Sequence, residues 1–110
     1  MSFVINNETI ETDKEGYLEN INDWSESIAE HIAQAEALIL TQDHWDVIHL
    51  LRQFYHEFEL SPAMRPLVKY VGLHLGKDKG NSIYLLTLFP PSPAKIASKI
   101  AGLPRPANCL

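Results

Sequence analysis

Two prolines near the C-terminus, Pro104 and Pro106, set the strongest limit on how this chain can end. Proline fixes its own φ and pushes the preceding residue toward extended geometry, so no helix runs through this stretch. Gly102 supplies a helix stop just before it. The chain is therefore expected to consist of a hairpin plus helical domain over 1–101 and a flexible, extended C-terminal arm over 102–110. The only cysteine, Cys109, is next to last on that arm, seven residues beyond Gly102. At about 3.3 Å per residue its sulfur could reach roughly 20 Å from the last helix.

A free cysteine is most often a small buried hydrophobe. A penultimate residue behind Pro-x-Pro has little chain left to hold it inside, which favours exposure. The thiolate is the nucleophile, and an unperturbed pKa near 8.5 leaves only a minor fraction ionised at neutral pH. Arg105 and Lys99 would favour the thiolate, whereas the carboxylate of Leu110 would oppose it. The arm contains no histidine to act as a base. Read from its residues alone, Cys109 is a carrier thiol activated on a partner's surface, not a self-contained active site. It is one residue from the end, which does not match the prenylation signal.

With one cysteine there is no internal disulfide, no apolar run is long enough to span a membrane, and Met1–Asn6 shows no secretory signal. These features predict a protein of the reducing cytoplasm with no membrane partner. Charge is unevenly distributed along the chain. Residues 1–60 carry two basic and thirteen acidic side chains, and residues 61–110 carry seven basic and one acidic. The seven, Arg65, Lys69, Lys77, Lys79, Lys95, Lys99 and Arg105, are candidates for a patch at the base of the arm that faces a partner or nucleic acid. The alternative is that the two signs intermingle in three dimensions.

Alternating residues in Phe3-Val4-Ile5 and Glu8–Thr12 around Asn6-Asn7 predict a β-hairpin with a primed turn. Asp13–Gly16 is a second turn, and Tyr17-Leu18 continues the sheet edge. Asp23 or Ser25 caps helix 1, whose inward stripe is Ile28, Ile32 and Ala35. Thr41 opens a long central core helix 2 carrying Trp45, Ile48, Leu51, Phe54, Tyr55 and Phe58. Ser61-Pro62 reads as an N-cap and first helical proline for helix 3, which ends near Gly76. Asn81 caps a short helix 4 that Pro90-Pro91 terminates, and Ser92-Pro93 opens helix 5, ending at Gly102. The fold class is mainly α with a small β-hairpin: about five packed helices and an extended arm.

Other chemistry is sparse. The five histidines form no zinc-type spacing, so no metal or cofactor is expected. Gly72, Gly76 and Gly80 make no phosphate loop and read as loose packing plus a turn. Helices 2 and 3 outline a helix-turn-helix, but Met64, Pro66, Leu67 and Val68 are too apolar for base reading. A non-catalytic regulatory protein with a docking tail and a nucleic-acid-facing basic side remains the alternative function.

Along nearly its whole length the chain resembles the TusE/DsrC family of small bacterial sulfur carriers. The matching residues include Glu15-Gly16-Tyr17-Leu18, Trp24-Ser25, His44-Trp45, Phe54-Tyr55, Ser61-Pro62-Ala63-x-Arg65, Lys79-Gly80-Asn81-Ser82, Leu88-Phe89-Pro90 and Pro93-Ala94-Lys95. They end in Lys99-Ile100-Ala101-Gly102-Leu103-Pro104-x-Pro106-x-x-Cys109. The resemblance implies a sulfurtransferase whose catalytic residue, Cys109, accepts a persulfide and passes it on. The DsrC branch, which works with dissimilatory sulfite reductase, carries a second cysteine on the arm, eleven residues earlier. Here that position is Ser98, so an internal disulfide or trisulfide cannot form. The single-cysteine pattern is similar to the TusE branch. That branch implies an upstream TusBCD-like persulfide donor and a downstream MnmA-like thiolase, which makes 2-thiouridine at the tRNA wobble position. A DsrC-like role in sulfur oxidation or sulfite reduction is the alternative within the family.

Overall fold

The structure is a computed structural model and describes residues 1–107. Strands β1 (Ser2–Ile5) and β2 (Glu8–Glu11) pair antiparallel, with Ser2 opposite Glu11 and Ile5 opposite Glu8. Asn6 and Asn7 both adopt left-handed φ, 50° and 65°, as the primed turn requires. The Asp13 carboxylate accepts the N–H groups of Glu15 and Tyr17, and Leu18 bridges back to Thr12. The small sheet is anchored by buried Ile10 and by Phe3, whose ring stacks on His31 at 4.1 Å.

Five helices follow: α1 (Glu26–Ala35), α2 (Gln42–Phe58), α3 (Met64–Leu75), α4 (Ser82–Leu88) and α5 (Pro93–Ile100). Ser25 caps α1 by accepting the N–H of Ile28, while Asp23 belongs to a preceding 3₁₀ turn. The buried stripe of α1 is Ile28, Ala29, Ile32 and Ala33, and Ala35 is exposed. Helix α2 buries Val47, Ile48, Leu50, Leu51 and Phe54, whereas Phe58 at its end is exposed. It shares the centre with α5, which packs against each of the other four helices. Small residues on α5, Ala94, Ala97 and Ser98, are buried and allow that close approach.

His44 ties the start of α2 to the end of α4. Its Nε2 lies 2.8 Å from the Leu88 carbonyl oxygen, and a carbonyl can only accept. Nε2 therefore carries the proton. Nδ1 is left to accept from the Thr41 N–H at 3.1 Å and the Thr41 hydroxyl at 2.8 Å. This histidine is buried, neutral and structural.

The structure corrects two further local readings. Ser61-Pro62 does not start α3; Ala63 occupies the cap position and the helix begins at Met64. Both residues of the pair are buried, and the Ser61 hydroxyl is used elsewhere. Pro66 fits because its missing N–H falls among the first-turn groups that have no intrahelical partner. Gly72 and Gly80 are not loosely packed. A Cβ on Gly80 would stand 2.3 Å from the Gly72 Cα, so the α3–α4 loop crosses α3 at backbone contact.

Candidate functional site: the base of the C-terminal arm

Helix α5 ends in carbonyls that have no partner inside the helix. Side chains from distant elements satisfy them. The Trp24 indole Nε1–H donates to the Ile100 carbonyl at 2.8 Å, and the Arg52 guanidinium donates to the Ala101 carbonyl at 2.6 Å. The guanidinium also lies 4.1 Å from the centre of the Trp24 ring, a cation–π contact at a helix C-terminus, where positive charge is favoured. Burial pushes the Arg52 guanidinium below its ordinary pKa.

Gly102 turns the chain with φ of 74° directly beneath Trp24; a Cβ there would meet the ring's Cδ1 at 2.4 Å. Leu103 then re-enters the core with 1% exposure, and its N–H donates to the Ser98 carbonyl. The Ser61 hydroxyl donates to the Pro104 carbonyl at 2.5 Å, Arg105 pairs with Glu15 at 3.1 Å, and Pro106 is buried. The expected arm is thus docked on the body as far as Pro106. The apolar side chain of Leu103 and the partnered backbone carbonyls outweigh the extended geometry that proline imposes. Cys109 lies outside the described residues. It follows the last buried residue of the clamp, Pro106, by three positions.

Ser98, where the DsrC branch has its second cysteine, lies inside α5 and not on the arm. It is fully buried, and among the described residues its hydroxyl has no hydrogen-bond partner.

The seven basic residues come from α3, the loop after it, α5 and the arm. Lys99 is drawn under the Asp13–Gly16 turn, pairing with Glu36 at 3.0 Å beneath the Tyr17 ring. Lys79 reaches Asp43 at 3.5 Å, and Asp43 is the leading cause of its raised pKa. With Arg105 on Glu15, three of the seven are neutralised by the acidic half of the chain. Arg65 and Lys69 are exposed on α3, Lys77 on the following loop, and Lys95 is half-buried on α5. At these three residues the two signs that are segregated along the sequence meet in space. Among the described residues no group of His, Cys, Asp and Glu is arranged to hold a metal ion, and no helix is long and apolar enough to cross a membrane.

Sequence reasoning missed Trp24, Arg52, Ser61 and Glu15 as arm-holding residues. Trp24 and Ser61 stand in the motifs quoted above, but neither spacing nor residue type reveals that they meet the tail.

The family model described as DsrC like protein matches residues 4–110. The chain belongs to the DsrC-like family. Among curated relatives, the sulfurtransferase TusE of Photorhabdus laumondii is 52% identical over 107 residues, covering 97% of this chain and 96% of the relative. The sulfurtransferase TusE homolog of Haemophilus influenzae is 55% identical over 106 residues, with 96% and 97% coverage. Among solved structures, DsrC of Allochromatium vinosum superposes with a TM-score of 0.90 at 46% identity over the whole of both chains. The oxidized gamma-subunit of the dissimilatory sulfite reductase (DsrC) from Archaeoglobus fulgidus gives 0.87 at 32%, again over both whole chains. These agree with the hairpin-and-five-helix architecture of this DsrC-like protein.

Proposed function

We propose that this DsrC-like protein is a sulfurtransferase that carries one sulfur atom on Cys109 for 2-thiolation of the tRNA wobble uridine. The observation that carries the reading is the clamp, which fixes the backbone through Pro106 and leaves the one thiol of the chain three positions further on. Such an arrangement suits delivery into another protein's site. The names of its close relatives support sulfur transfer as the chemistry.

In the loading step the Cys109 thiolate attacks the outer sulfur of a donor persulfide, R–S–SH. The new bond gives Cys109–S–SH as the donor's S–S bond breaks and its thiolate leaves. In the unloading step an acceptor thiolate attacks the same outer sulfur and regenerates the Cys109 thiolate. Both are exchanges with no net oxidant, governed by thiolate fraction and access. The donor is a TusBCD-like complex and the acceptor an MnmA-like thiolase with its tRNA, in a reducing cytoplasm. With Ser98 in place of a second cysteine, the carrier has no internal route for discharging its sulfur, which favours this role over a DsrC-like one in sulfite reduction.

The test is intact-mass measurement after incubation with a persulfide donor. Wild type should gain one sulfur atom and Cys109→Ala none; equal gain by both, or none by wild type, refutes the carrier. Deletion of the gene should lower 2-thiouridine in tRNA.

A further inference from the structure

Pro104 and Pro106 carry no N–H, so alternate residues of the segment after Leu103 have only a carbonyl to offer. A carbonyl accepts, and a donor has to be brought to it. The Ser61 hydroxyl, 43 positions earlier in the chain, is such a donor, reaching the Pro104 carbonyl at 2.5 Å. Ser61 is 8% exposed and Pro62 beside it is fully buried. Proline keeps the residue before it extended, so the buried Pro62 ring fixes where the Ser61 side chain starts. The Ser61-Pro62 pair opens no helix, and its hydroxyl is spent on the arm. A second polar contact in this segment, Arg105 with Glu15, joins side chains that are 49% and 53% exposed, where an ion pair adds little.

We propose that Ser61 is a positioning residue for protein-to-protein sulfur transfer: its hydroxyl fixes the Pro104 carbonyl and so holds the point from which Cys109 is tethered. The inference rests on the carrier function above. Three residues follow Ala107, far fewer than the roughly 20–30 a side that a standard interface uses. A specific protein partner must therefore also bind the body, and must find the thiol at a set distance from it. With the segment held as far as Ala107, Cys109 is two positions beyond the last held residue, and their Cα atoms are no more than about 7 Å apart. Without the Ser61 contact the tether starts at Leu103, which belongs to the hydrophobic core cluster and precedes Cys109 by six positions. Effective concentration falls roughly as the −3/2 power of tether length, so a threefold longer tether dilutes the thiol about fivefold at the partner's site. A small persulfide in solution meets the thiol wherever it stands and is blind to the tether.

The experiment makes two measurements on wild type, Ser61→Ala and Ser61→Thr. The first is the NMR order parameter of the Arg105 backbone N–H, expected near about 0.85 in wild type and Ser61→Thr and below about 0.6 in Ser61→Ala. The second is the ratio of two loading rates read by intact mass, one from a persulfide-loaded TusBCD-like complex and one from glutathione persulfide. That ratio should fall about fivefold in Ser61→Ala and stay within about twofold of wild type in Ser61→Thr, which keeps the hydroxyl. Failure of threonine to preserve both values overturns the proposal, since the fit of the side chain and not its hydroxyl would then matter. An unchanged order parameter in Ser61→Ala overturns it, as does an unchanged or increased ratio. A parallel fall of both rates overturns it too, because a misplaced thiol should still react with the small donor. If wild type is loaded by neither donor, the carrier function fails and the transfer role of Ser61 with it, while the order parameters still report whether Ser61 holds the segment.

Discussion

Replacing Leu103 with alanine tests most directly whether the arm begins at Gly102 or beyond Pro106. Leu103 has 1% exposure and belongs to the main core cluster. Truncation removes three buried carbons, which at about 0.8 kcal/mol each amounts to roughly 2.4 kcal/mol of lost transfer free energy. The void adds to this, although a site near the chain end can partly collapse, so a total of about 3 kcal/mol is expected, in the lower part of the usual range. An unfolding entropy of about 2.1 cal/mol/K per residue, over the 110 residues of the chain, converts this to a fall in Tm of roughly 13 °C. Urea unfolding under reducing conditions, followed by circular dichroism and by fluorescence, provides the assay. Trp24 lies against Gly102, so its fluorescence also reports on the base of the arm. A loss below 1 kcal/mol with an unchanged m-value would refute the docked segment, since a residue on a free arm should cost no more than about 0.5 kcal/mol.

Further predictions concern two glycines and two histidines. Gly72→Ala should be neutral or stabilising by up to about 1 kcal/mol, because the residue is inside α3 and its new Cβ meets only the Gly80 Cα, at 3.6 Å. Gly80→Ala should cost about 3 kcal/mol or more, because backbone 2.3 Å away would have to move; paired urea titrations measure both. His44→Ala should cost about 2–3 kcal/mol in thermal unfolding, since it strands the buried Leu88 carbonyl and the Thr41 N–H. His56→Ala, on an exposed face of α2, should change stability by less than about 0.5 kcal/mol.

The sequence by itself determined the local elements. Asn6-Asn7 specified the primed turn, Thr41 and Asn81 opened α2 and α4, and the prolines and Gly102 ended helices, because each acts through its own backbone and nearest neighbours. It also excluded a second thiol as an internal sulfur partner for Cys109, since that follows from counting cysteines. Tertiary structure alone decided the rest. Ser61 looks like a cap until the Pro104 carbonyl is seen beside it, and Lys99 looks like a surface charge until it is found under Tyr17 against Glu36. The arm looks free from Gly102 onward until Trp24 and Arg52, more than seventy and about fifty positions away in sequence, take up the last carbonyls of α5. Those contacts depend on three-dimensional juxtaposition, which periodicity and spacing do not encode.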